Sequence, residues 1–151
     1  MNEKEARRWR LDLLLAKRRR EAVKADSPLF LDCIQALGEG TRICSREESD
    51  RLYARLQGEY PFTSYGRIDW ERVPHQALLQ KDVQLSAVSG SKEYWILWSH
   101  GDAPVIRTSL RKLLEQLDEV TAVSPDVWAY REGEEVVEWA HDGSCRRSLG
   151  R

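Results

Sequence analysis

Five consecutive apolar residues, Tyr94-Trp95-Ile96-Leu97-Trp98, constrain this chain more than any other feature. A strand points successive side chains to opposite faces, so an unbroken run of large apolar residues has to be covered on both sides. The stretch Glu93 to Ser99 therefore predicts a central, doubly buried strand. A sheet built on it needs further strands beside it and packing above and below. The 151 residues suffice for one such domain, and 41% hydrophobic with 32% charged residues is a globular composition.

Helix signals dominate the first half. Glu5 to Lys24 contains no Gly or Pro, and Trp9, Leu13 and Ala16 fall on one face. Ser27-Pro28 offers a capping hydroxyl and a first-turn proline for a helix over Leu29 to Leu37, ended by Gly38 and Gly40. Thr41 to Cys44 suggests a short strand. Ser45 with Glu48 has the capping-box spacing for a helix from Arg46 to Gln57, closed by Gly58. Tyr60 to Trp70 reads as an ordered aromatic loop, and Asp69 to Pro74 as a helical turn.

From about Asp82 the pattern turns to strands. Val83 to Val88 suggests one, ended by Ser89-Gly90-Ser91, and Glu93 to Ser99 the next. Val105 and Ile106 follow. Thr108 or Ser109 then caps an amphipathic helix through Leu110, Leu113, Leu114 and Leu117. Asp126 to Arg131 and Glu135 to His141 read as strands joined through Glu132-Gly133-Glu134. Asp142-Gly143 is the best two-residue hairpin turn, leading into Ser144 to Leu149. The expected fold is α+β: N-terminal helices followed by a mainly antiparallel sheet with one crossing helix. Residues 1–151 form a single domain in this reading, with 1–58 mainly helical and 82–151 forming the sheet.

The chemistry-bearing residues are sparse. His75, His100 and His141 sit at no metal-ligand spacing, and no phosphate-binding loop or nucleophile motif is present. His141-Asp142-Gly143 has a structural reason to be a turn. A metal-dependent nuclease using Glu134, Glu135 and Glu138, or Asp118 and Glu119, ranks last among the readings. No catalytic, cofactor-binding or metal site is expected. Cys33, Cys44 and Cys145 are scattered and read as reduced thiols, two of them core fillers. The charged start and the short apolar runs give no sign of export or membrane insertion, so a cytoplasmic protein is expected.

Charge is uneven. Residues 1–24 hold nine Lys or Arg against four acids, a net of +5, and the remainder carries −6. The arginine-rich first helix makes nucleic-acid binding an alternative function, although a charged helix exterior is the commoner explanation. Six tryptophans also ask for a reason. Trp95, Trp98, Trp128 and Trp139 lie on expected strands, and exposed rings among them would serve a protein partner.

The stretches Tyr94 to Trp98, Pro104 to Thr108, Asp118 to Tyr130 and Val136 to Gly143 together resemble bacterial immunity proteins. These are the small cytoplasmic partners of polymorphic and contact-dependent growth-inhibition toxins. The likeness covers about the last third of the chain, with Gly66 to Trp70 as a possible addition. It implies a protein that is not an enzyme and that binds one toxin domain and blocks its active site. Many such toxins are nucleases with basic clefts, which an acidic inhibitor meets favourably. On that basis the expected acidic face is Asp118, Glu119, Glu132, Glu134, Glu135 and Asp142, with Trp128 or Trp139 as aromatic anchor. Taken one by one, the same acids are equally good solubilising turn residues.

Overall fold

The computed structural model describes residues 2–10, 27–79, 92–99 and 103–149. Residues 3 to 10 are helical. After them come α1 (Pro28–Leu37), β1 (Arg42–Ile43), α2 (Arg46–Glu59), a 3-10 turn (Trp70–Arg72), β2 (His75–Leu78) and β3 (Glu93–Trp98). The chain then runs through β4 (Ile106–Ser109), α3 (Leu110–Glu115), α4 (Leu117–Ala122), β5 (Val127–Arg131), β6 (Glu135–Trp139) and β7 (Cys145–Ser148). The seven strands form one sheet in the order β1-β4-β3-β5-β6-β7-β2, with every pair antiparallel. The fold is α+β.

The apolar run lies where its composition demands. In β3, Tyr94, Ile96 and Trp98 face one side and join Phe30, Cys33 and Leu37 of α1 with Leu113, Leu117 and Val120 of the crossing segment. Leu97 faces the other side, among Leu52, Tyr53 and Leu56 of α2 and Tyr60, Ile68 and Trp70 of the aromatic loop. The sheet is thus a middle layer with a separate core on each face. Tyr53 locks α2 to it: its hydroxyl donates to the Trp98 carbonyl (3.0 Å) and accepts from the Trp98 N–H (3.1 Å). Of the strand tryptophans, Trp98, Trp128 and Trp139 are buried. Trp95 is half-buried, with the guanidinium groups of Arg107 and Arg42 at 5.1 and 5.6 Å from its ring centroid.

Local signals set most helix starts. Ser27, Ser45 and Ser109 each accept the N–H of the third residue on: Phe30 at 3.1 Å, Glu48 at 3.2 Å and Lys112 at 3.2 Å. Gly38 ends α1 with φ 72°. Gly58, expected as a stop, lies inside α2. Tertiary contacts carry the helix past it: the Glu59 carboxylate accepts the Gly133 N–H at 2.6 Å, and Tyr60 packs against Tyr130. The crossing segment bends at Gln116 into two short helices. In the second, the Val120 carbonyl accepts the indole N–H of Trp98 at 2.9 Å.

Three details of the sheet differ from the sequence reading. β2 was not expected, because His75-Gln76-Ala77-Leu78 has no β-branched residue and is half-exposed; it pairs only with β7 at the sheet edge. The turn at Asp142-Gly143 spans three residues, His141 to Gly143. The Ala140 N–H meets the Ser144 carbonyl at 2.9 Å, and only Gly143 has positive φ, at 86°. Residues 106–109 are a strand up to the cap of α3. The expected strand over Val83 to Val88, the turn at Ser89 to Ser91, the helix beyond residue 10, and His100 lie outside the described residues.

Two outcomes follow from this packing. Leu52 is fully buried in the second core, so Leu52→Ala should lower the unfolding free energy by about 2–5 kcal/mol in urea titrations, with the fold retained. Burial pushes the thiols of Cys33 and Cys145 up to about 12 and that of Cys44 up to about 11. Tyr94 is raised too, first by burial and then by its hydrogen bond to Glu135. The unfolded chain gives up these protons near about 8.5 for thiols and about 10 for tyrosine. The folded form keeps them longer, so their contribution is complete below about pH 8 and is lost as pH climbs toward the folded values. The urea midpoint should fall between about pH 8.5 and 11, and native thiols should resist a thiol reagent at pH 8 until denaturant is added.

Candidate partner-binding site

β5 and β6 form a hairpin whose two ends differ in charge. At the turn end, the acids are matched by arginines. Glu132 meets Arg55 at 3.3 Å and Arg51 at 3.4 Å, both from α2. Glu134 takes Arg131 at 2.7 Å, which holds its carboxyl below the usual range. Glu135 takes Arg147 at 2.6 Å and accepts the Tyr94 hydroxyl. Here the expected acidic face is largely neutralised by the protein itself.

The opposite end holds a buried polar cluster. Glu138 alternates with Val137 and Trp139 along β6, so it points to the second core, where it is 1% exposed. Its carboxylate accepts the Trp128 indole N–H at 2.8 Å and the Arg67 guanidinium at 3.4 Å. Arg67 also stands 3.7 Å from Asp126, a second buried carboxylate. Asp126 in turn accepts the His141 N–H at 3.0 Å and lies 3.1 Å from the His141 ring Nδ1. Asp142 follows on the surface, held below its ordinary range first by the Ser144 hydroxyl and N–H and then by His141 and Arg67.

A small hairpin delivers Arg67 to this place. Phe62 and Ile68 pair as an isolated bridge, and the Thr63 N–H reaches the Arg67 carbonyl at 2.7 Å. Gly66 turns the tip with φ 84°. Phe62 packs edge-on against Trp128 with centroids 5.7 Å apart. Asp126 and Glu138 therefore share Arg67 as their contacting guanidinium, with Arg146 opposite Glu138 in the ladder. Among the described residues, no group of three or more His, Cys, Asp or Glu is placed to hold a metal ion.

The expected site residues fall into separate places. Trp128, at 3% exposure, and Asp142, on the surface, both lie at the polar end. Trp139 sits in the first core at 1% exposure, its ring covered by the fold. Asp118 and Glu119 are exposed in the first turn of α4, in no ion pair among the described residues. Glu132, Glu134 and Glu135 gather at the far end of the hairpin. Sequence reasoning gave Arg67 and Asp126 no place in the site, because their meeting depends on contacts between the 62–68 hairpin and the sheet. Glu138 did carry a signal, an acid in mid-strand between two apolar residues.

The family model described as CdiI immunity protein, EcoliA0-like, matches residues 27–148, well over half of the chain. The chain belongs to that family. No curated protein matches it. The CdiI match spans α1 through β7, and so takes in both cores and the whole polar cluster. Within the described residues, no helix is long and apolar enough to cross a membrane.

The cluster should be sensitive to which atoms are removed. Glu138→Ala leaves the Trp128 N–H and Arg67 without their carboxylate and should cost about 3–5 kcal/mol in chemical denaturation. Glu138→Gln keeps an acceptor for Trp128 and should cost about half as much. Equal losses in the two variants would mean that the hydrogen bonds contribute little.

Proposed function

We propose that this protein is an immunity protein that binds a cognate toxin domain, a nuclease, and neutralises it by covering its active site. It performs no chemistry of its own in this reading and works in the cytoplasm. Membership of the CdiI immunity family carries the proposal. Charge supports the nuclease: the chain beyond residue 24 has a net charge of −6, and a nuclease presents a cationic cleft to its substrate. Asp142, with Asp118 and Glu119 on α4, supplies the exposed carboxylates that meet this cleft. Trp128 holds Glu138 in the buried cluster at Asp142's end of the hairpin. Glu132, Glu134 and Glu135 stand at the hairpin's other end with their charge met by arginines, and Trp139 supports the strand that carries Glu135.

Co-expression with the toxin domain encoded beside it tests the proposal. Restored growth and a stable one-to-one complex are expected; a toxic, folded domain that neither binds nor is silenced would refute it. The charge-reversed variant Asp118→Lys/Glu119→Lys/Asp142→Lys should associate roughly 10-fold more slowly at low salt, with the difference shrinking as salt rises. Unchanged association kinetics would place the toxin on another face.

A further inference from the structure

The two edges of the sheet are unequal. β1 is two residues long and β2 four, and the hydrogen-bond ladder decides which of their backbone groups face out. In an antiparallel pair, residues that exchange bonds with the neighbouring strand alternate with residues whose N–H and C=O point away from it. The Leu149 N–H donates to the Pro74 carbonyl at 2.9 Å, and the register continues with Gln76 opposite Arg147 and Leu78 opposite Cys145. Gln76 and Leu78 therefore bond to β7, and His75 and Ala77 turn their N–H and C=O outward. The other side of β7 agrees. The Ala140 N–H donates to the Ser144 carbonyl at 2.9 Å, so Ser144 and Arg146 face β6 and leave Cys145 and Arg147 to β2. On β1 the same reasoning leaves Ile43 alone facing outward, because the Cys44 N–H reaches the Val105 carbonyl at 2.8 Å.

Open edges are normally guarded by a charge, a proline or a bulge, since they accept other strands readily. His75-Gln76-Ala77-Leu78 contains no Lys, Arg, Asp, Glu or Pro, its four pairs with β7 run without a bulge, and Gln76 and Ala77 are exposed. Among the described residues, nothing pairs with the outer side of this strand. Its position adds to the argument. The Leu78 end of β2 lies beside Cys145, at the foot of the turn that carries Asp142, and Leu79 follows there at 60% exposure. The unguarded edge thus runs up to the exposed carboxylate of the polar end. Both β2 and β7 fall within the residues matched by the CdiI family.

We propose that the toxin domain adds an extended segment to the outer edge of β2, its main chain bonding to His75 and Ala77 and a cationic side chain reaching Asp142. The inference rests on the neutralising role proposed above and gives that role a geometry. Main-chain bonds hold the added strand whatever its side chains are. Asp142 and Leu79, at one end of the edge, then select a segment with a cation and an apolar residue there. The rest of the toxin is carried past the hairpin turn toward the polar end, where a basic surface meets no competing cation from β2.

Amide hydrogen exchange, followed by NMR on the full-length protein alone and with the purified toxin domain encoded beside it, tests this directly. In the free protein the His75 and Ala77 amides should exchange rapidly, while those of Gln76 and Leu78 are slowed by β7. On binding, His75 and Ala77 should slow roughly 100-fold or more. Ala77→Pro removes one outward N–H and none of the bonds to β7, so it should keep the fold and weaken toxin binding roughly 10-fold or more. If that variant does not fold, exchange in the wild type still decides. An Ala77 amide already protected in the free protein would overturn the inference, because the edge is then filled by the chain itself or, if protection rises with concentration, by a second copy. A complex that forms while His75 and Ala77 stay unprotected would also overturn it and leave the neutralising role standing. If the wild type fails to bind a folded, active toxin domain, both fall.

Discussion

A central strand that is apolar on both faces cannot stand at the edge of a domain or against water on either side. β3 imposes that condition, and β5 shares it, since Val127, Trp128, Ala129 and Tyr130 are all buried. Two covering layers follow. One comes from α1 and the crossing segment, the other from α2 and the aromatic loop, and each contributes its own cluster. The elements that carry the functional surface are in effect lids on the two sides of one strand pair. The residues of the polar cluster therefore inherit their positions from packing, which explains how a carboxylate as buried as Glu138 is held to one geometry.

Glu138 illustrates what such a layered arrangement permits. A charge in a doubly covered sheet is tolerated only with partners, and here they come from two directions: the neighbouring strand through Trp128 and the covering hairpin through Arg67. The second carboxylate, Asp126, shares Arg67 and reaches the turn through His141. An acid excess near a surface, stiffened from beneath, presents its field in one direction. That is more useful for recognising a partner than the same number of acids on mobile side chains, because less is lost in ordering them.

Much of the fold could be read from local signals, and the site could not. Ser27-Pro28, Gly38 and Ser45 announced helix ends because capping is settled within three residues. The apolar run announced its strand for the same kind of reason. β2 escaped because its residues have no strand character of their own and it exists only through β7. Gly58 was misread as a stop because the helix continues on contacts made by Glu59 and Tyr60 with residues far along the chain. The acidic residues were visible as a list, but their pairing was not: Glu132 and Glu135 find arginines on α2 and β7. Trp128 and Trp139 were visible as large rings, and their burial depended on a covering layer that no nearby residue foretold.

The strand order has a consequence for how the protein comes into being. Both edge strands are synthesised early, but β1 pairs with β4, and β2 waits for β7 at the very end of the chain. The sheet closes only once β7 has been made, and the pairings that complete it join residues 65 apart (Arg42 with Arg107) and 73 apart (His75 with Ser148). Such a topology folds slowly by comparison with a helical bundle.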